Sequence, residues 1–220
     1  MFLKKSFVYY FLLSLCSLSF AQDTGSGKFD EEVKVLTAQD ASINKKKLIL
    51  FTGSSSIRRW KDIHTYFPQH NILNRGFGGS QMNDLVDYFD KLILPYQATQ
   101  IFIYEGDNDI NAGKTTAEIL LKADELLQLI RTKLPDKTKI IFIGIKPSLS
   151  RWKLKAEYQA FNAAYEDWTK KNNVGYVDMW SPMLDSDGNP INDVFIEDGL
   201  HLNKKGYDIW GRVLVPYVGK

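Results

Sequence analysis

A hydroxyl, an imidazole and a carboxylate held in one row can move an acyl group off an ester. The hydroxyl attacks, the imidazole takes its proton, and the carboxylate orients the ring. The sequence has three imidazoles, His64, His70 and His201. His64 falls inside an amphipathic helical pattern and His70 in a polar turn after Pro68, both surface positions by their patterning. His201 lies in Glu197-Asp198-Gly199-Leu200-His201-Leu202-Asn203. A carboxylate three residues ahead, on a turn containing glycine, can reach Nδ1 and leave Nε2 for a hydroxyl. The same cluster also reads as the polar start of the helix that follows. Hydroxyls are concentrated in Gly53-Ser54-Ser55-Ser56, although serines in a turn also serve as simple caps.

Whether these groups can meet depends on the elements between them. Leu48 to Thr52 is a short continuous apolar run ending at Gly53, the pattern of a strand buried on both faces. Further strands are expected at Asn71–Asn74, Gln100–Tyr104, Lys139–Ile145 and Gly175–Val177. Helical patterns alternate with them at Ile57–Phe67, Ser80–Leu94, Thr116–Leu134, Leu154–Asn172 and Asn203–Val218, with Asn203 as an N-cap. Such alternation implies a parallel sheet with helices on both faces. Ligands of these sheets bind beyond the carboxyl ends of the strands. The segments following the first three strands are Gly53–Ser56, Gly76-Phe77-Gly78-Gly79 and Glu105-Gly106-Asp107-Asn108-Asp109, where that rule places a site.

The chain has 220 residues, one domain's length, and is 44% apolar, with enough aromatic residues to bury a sizeable core. Residues 1–21 read as a signal peptide: Lys4 and Lys5, the apolar run Phe7–Phe20, then Ser19-Phe20-Ala21 before a cut at Gln22. The run is shorter than a spanning helix needs. Leu15 ahead of Cys16 does not fit a lipidation signal. The expected location is therefore outside the cytoplasm, periplasmic or extracellular, without stable membrane insertion after cleavage. Residues 22–47 form a lead-in with a helix over Phe29–Ala41 packed on the domain, and 48–220 form the domain itself. The segment 1–21 carries two Lys and no acid, so 26 basic and 26 acidic residues remain. That balance points away from nucleic acid. Cys16 is the only cysteine and leaves with the signal, so no disulfide, thiol nucleophile or thiolate metal site is expected.

Four blocks together bring a family resemblance into view. Gly53-Ser54-Ser55-Ser56-Ile57 with Trp60 is similar to the first block of the SGNH/GDSL hydrolases, Gly-Asp-Ser-Ile/Leu with a Trp a few residues on. Asn74-Arg75-Gly76-Phe77-Gly78-Gly79-Ser80 resembles the second, Gly106-Asp107-Asn108-Asp109 the third, and Asp198-Gly199-Leu200-His201 the last. They occur in family order across most of the chain. The resemblance implies a three-layer α/β/α fold with a flavodoxin-like five-stranded parallel sheet. It implies Ser55 as nucleophile, His201 as base and then acid, and Asp198 as the group orienting it. It also implies an oxyanion hole from the backbone N–H groups of Ser55 and Gly79 and the side-chain amide of Asn108. One such donor is worth about 3–4 kcal/mol of barrier. The sequence departs from the pattern at Ser54, where the family has Asp. Three consecutive serines leave the register open, and Gly53 and Trp60 favour Ser55.

Arg151 and Trp152 follow the fourth strand and are candidates to contact substrate at the rim. Asp185-Ser186-Asp187-Gly188-Asn189 hints at calcium, but Pro190 occupies the glycine position of that loop, and a turn is the simpler reading. No zinc-protease or P-loop pattern occurs, so no metal or cofactor is expected. The expected function is a serine ester hydrolase working through an acyl-enzyme on short acyl esters, such as O-acetyl groups of glycans. Lysophospholipase or thioesterase activity, or a glycan-binding homologue without turnover, are the alternatives. The partner is a small-molecule or glycan ester; the sequence carries no signal for oligomeric state.

Overall fold

The computed structural model describes residues 27–38 and 40–220. The expected signal peptide, its Cys16 and the first residues of the lead-in lie outside the described residues. Five strands form one parallel sheet: β1 (Leu48–Gly53), β2 (Asn71–Gly76), β3 (Gln100–Tyr104), β4 (Lys139–Ile143) and β5 (Gly175–Val177). Their order is β2-β1-β3-β4-β5, the flavodoxin-like order. β1 and β3 are buried along their whole length, as their uninterrupted apolar runs require.

Two aromatic layers show how the sheet is covered. Phe51 of β1 and Phe102 of β3 are in register and stack at 4.5 Å. On that face Phe51 packs against Phe67 and Trp60, and Trp60 against Tyr207 and Trp210. Side chains alternate along a strand, so Ile103, paired with Phe142 of β4, faces the other side. There Phe142 meets Tyr165 and Trp168.

The helices run, in chain order, α1 (Asp30–Thr37), α2 (Ser55–Arg58), α3 (Ile63–Tyr66), α4 (Met82–Asp87), α5 (Phe89–Leu92), α6 (Asp107–Asn111), α7 (Thr116–Lys133), α8 (Lys155–Lys171) and α9 (Lys204–Leu214). Trp210 of α9 and Trp168 of α8 thus sit on opposite faces. Thr115 and Glu118 close a reciprocal capping box that starts α7. Asn203 accepts from the Gly206 N–H and starts α9, as its sequence position predicts. No described helix is long and apolar enough to cross a membrane.

Two single helices read from periodicity are each two short ones. Over Ile57–Phe67 the chain breaks between α2 and α3 because Asn74 Nδ2 donates to the carbonyls of Ile57 (2.6 Å) and Trp60 (3.1 Å), taking acceptors a continuing helix would use. Over Ser80–Leu94 it bends at Tyr88, whose hydroxyl is tied to α1: it accepts from Phe29 N and donates to Asp30 Oδ1. The N-terminal helix packs on the domain through buried Phe29 and Val33, and it is shorter than the expected Phe29–Ala41.

Candidate active site

The loops after β1, β2 and β3 and the turn before α9 converge at the carboxyl edge of the sheet. β1 ends in Gly53 at φ +123°, where a Cβ would stand 2.1 Å from the Tyr104 carbonyl oxygen. Only glycine lets β1 and β3 run side by side to that point. The next residue, Ser54, donates its N–H to Tyr104 O, and its own carbonyl accepts from Ile57 and Arg58 N–H, which turns the chain into α2. Ser54 Oγ, at the position of the family's Asp, is buried without a hydrogen-bond partner among the described residues. The turn is therefore held by backbone bonds, and the Ser54 hydroxyl does not replace a carboxylate.

Of the three serines, Ser54 and Ser56 are buried and Ser55 is half-exposed. Ser55 Oγ lies 2.9 Å from His201 Nε2, and His201 Nδ1 lies 2.6 Å from Asp198 Oδ2. A carboxylate can only accept, so the Nδ1 proton faces Asp198 and Nε2 is left to take a proton from Ser55. Desolvation raises the Asp198 pKa, but hydrogen bonds from the His201 ring and from the N–H groups of His201 and Leu200 outweigh it and hold it at about 2. His64 and His70 are exposed and take no part.

The other polar groups named from the sequence lie beside this row. Gly79 is exposed, a Cβ there would meet nothing within 4 Å, and its N–H has no partner among the described residues. Asn108, in the first turn of α6, donates Nδ2 to Ser80 O at 2.9 Å and accepts from Arg151 Nη2 at 2.9 Å. Arg151 therefore faces the protein rather than open solvent: its side chain is 12% exposed, and Nη1 donates to Asp107 O. Trp152 is half-buried and stacks on Trp180 at 5.8 Å. In the Asp185 loop, Oδ1 accepts from the N–H groups of Asp187 and Asn189, closing a turn.

Several supporting groups carry no motif. Lys146, just after β4, is buried and donates Nζ to Leu200 O at 2.7 Å, next to His201. Burial pushes its ammonium down to about 8, while Asp107 and Asp198 pull the other way and Arg151 adds to the depression. Glu105 is fully buried and accepts from Ser80 Oγ at 2.6 Å. Burial, reinforced by the nearby Asp109, pushes its carboxyl well above the usual range. Glu32 of α1 accepts from the Gly78 N–H and pairs with Arg58, tying the N-terminal helix to the second glycine loop. A buried lysine at the end of a strand is unusual for that residue type, but the sequence gives no sign that Lys146 is buried.

A family model described as GDSL-like lipase/acylhydrolase matches residues 50–209. Among solved structures, a GDSL-like lipase from Bacteroides thetaiotaomicron superposes with a TM-score of 0.72 at 20% identity, covering 86% of this chain and 96% of that one. A member of the lipolytic G-D-S-L family from Veillonella parvula gives 0.66 at 16% identity, covering 79% and 98%. A catalytic variant of an acetylxylan esterase from Geobacillus stearothermophilus gives 0.66 at 13% identity, covering 79% and 94%. Among curated proteins, none matches the sequence significantly. At these identities the structural likenesses speak for the fold.

Proposed function

The chain belongs to the GDSL-like lipase/acylhydrolase family and is a carboxylic ester hydrolase, and we propose that it removes short acyl groups, such as the O-acetyl groups of glycans, through an acyl-enzyme on Ser55. The observation that carries this reading is the unbroken row from Ser55 Oγ through the His201 ring to Asp198. In the first half-reaction the Ser55 proton passes to Nε2 as Oγ bonds to the ester carbonyl carbon. The negative charge on the carbonyl oxygen is met by the N–H groups of Ser55 and Gly79 and by Asn108 Nδ2. Collapse breaks the bond to the alcohol oxygen, which leaves with the Nε2 proton. In the second half, water gives a proton to Nε2 and attacks the acyl carbon; the proton then returns to Ser55 Oγ as the carboxylic acid departs.

Two observations favour a small acyl group on a sugar. Gly79 is exposed and a Cβ there would meet nothing within 4 Å, so this side of the site is open to a substrate carried on a bulky sugar. Trp152, next to Arg151 in the chain, is half-buried, stacks on the buried Trp180 and has Lys155 Nζ 4.6 Å from its ring, so that its edge is the apolar surface a sugar can meet there. The acetylxylan esterase of the same fold supports this class. The basic start and apolar run at Lys4–Phe20 support export to the periplasm or beyond, where such glycans are met.

The reading is tested with a fluorophosphonate probe and a substrate panel. Stoichiometric labelling that disappears in Ser55→Ala supports the nucleophile. Faster turnover of acetyl than of octanoyl nitrophenyl esters, together with release of acetate from acetylated xylo-oligosaccharides, supports the substrate class. Preference for the long chain would overturn it.

A further inference from the structure

Asn108 is held from both sides by groups that leave its amide only one orientation. Arg151 can only donate, so the atom 2.9 Å from Nη2 must be the amide oxygen. The Ser80 carbonyl can only accept, so the atom 2.9 Å from it must be the amide nitrogen. Ser80 is itself fixed, since its hydroxyl donates to the fully buried Glu105. One Nδ2 hydrogen is thereby used, and the planar amide directs the second away from Ser80.

Three of the five Arg151 N–H donors are engaged within the protein, one of them by Asn108. Nη1 donates to Asp107 O at 3.0 Å and to the Tyr158 hydroxyl at 3.5 Å, and it stands 3.7 Å from Asp107 Oδ2. Tyr158 in turn donates to the same Asp107 carbonyl. The guanidinium is thus locked to the backbone of the residue preceding Asn108 and to the side chain of Asn108 itself. A hydrogen bond from a cation to an amide oxygen also draws electron density from the amide nitrogen, which makes its remaining N–H a stronger donor.

We propose that Arg151 is a positioning residue for the reaction: it clamps and polarises Asn108 so that the free Nδ2–H meets the developing oxyanion. This rests on the reading of Asn108 as an oxyanion donor, and it replaces a direct Arg151–substrate contact with an indirect role. A clamp of this kind acts on the transition state and not on the bound ester, so its loss falls on kcat.

The test is a double-mutant cycle on nitrophenyl acetate with Arg151→Ala, Arg151→Lys, Asn108→Ala and the Arg151→Ala/Asn108→Ala pair, each checked for folding by thermal melting. Expected is a fall in kcat of roughly 10–100-fold for Arg151→Ala with KM within about twofold, below the 10²–10³-fold typical of losing a donor outright. Arg151→Lys should fall between, since it keeps charge and loses the fork. The pair should be no slower than Asn108→Ala alone. Added guanidinium at millimolar levels should restore part of the Arg151→Ala rate and none of the rate of the pair. Additive losses in the pair, or a raised KM at unchanged kcat in Arg151→Ala, would overturn the proposal. If Arg151→Ala does not fold, Arg151→Lys against Asn108→Ala gives the same cycle. An Asn108→Ala enzyme as fast as wild type would instead sink the oxyanion reading beneath it, and the clamp with it.

Discussion

At the carboxyl edge of the sheet, ionisable groups are buried and bonded: Glu105, Asp107, Asp109 and Lys146 are each less than a tenth exposed, and each has a hydrogen-bond partner. At the amino edge, charge is exposed. Lys47, Lys137, Lys139 and Lys220 lie in solvent and pair with no carboxylate among the described residues. They border two adjoining cavities of about 560 and 520 Å³, which share Gln100, Lys137, Lys139 and Lys220. Neither cavity includes a residue of the Ser55–His201–Asp198 row. A lysine in water is free to move and is screened within about 10 Å. A buried group locked by hydrogen bonds keeps its direction and acts through a low local dielectric, so it needs no rearrangement when charge develops.

That contrast can be broken from either end. Ser55→Ala should cost the most, roughly 10⁵–10⁶-fold in kcat, as for removal of other serine nucleophiles; a titrated active-site assay checks it. Asn108→Ala is expected to lower kcat by about 10²–10³-fold, the cost of one oxyanion donor, with little change in KM.

Lys146 tests burial through pH. Its folded pKa of about 8 lies below the ordinary 10.5. Between those values the unfolded chain holds more protons than the fold, so the stability contributed at this position rises with pH across that window. Urea unfolding should show the wild type gaining on Lys146→Met from pH 8 toward pH 10. A flat difference would mean that burial does not disfavour the ammonium.

Glu105 should show the opposite slope. Its folded pKa is raised, so its contribution is complete below about pH 4.5 and fades as pH rises toward the folded value. Glu105→Gln keeps the shape and the acceptor for Ser80 without the ionisation, and should gain on the wild type as pH rises above the ordinary carboxyl value. The smallest effect belongs to the amino edge: Lys137→Gln/Lys139→Gln should leave kcat/KM for nitrophenyl acetate within about twofold and stability within about 0.5 kcal/mol. A tenfold loss there would show that the two edges are coupled.

Strands β1 and β3 were legible because their uninterrupted apolar runs need burial on both faces, and the helices α7 and α8 because their periodicity has no competitor. The helices over Ile57–Phe67 and Ser80–Leu94 were not read as two because the groups that break them come from elsewhere in the chain: Asn74 for the first and, for the second, Phe29 and Asp30, which hold the Tyr88 hydroxyl. The same limit applied at the rim. Arg151 was a candidate substrate contact because loops at the rim often carry binding residues; its engagement with Asn108 spans 43 residues. Nothing local marks Lys146 as buried, and its bond to Leu200 spans 54 residues.

What the sequence determined by itself was the order of the chemistry: a serine after the first strand, an amide after the third, an aspartate three residues ahead of a histidine before the last helix. Local spacing suffices for Asp198 to reach His201, because a short turn constrains which neighbours can touch; the parts of the serine and the amide came from the family resemblance of the blocks that hold them. The choice among three serines, the facing of Arg151 and the burial of Lys146 were decided only in three dimensions. Each depends on where a distant backbone atom stands, which is settled by packing of the whole sheet and its two aromatic layers and not by any stretch of residues alone.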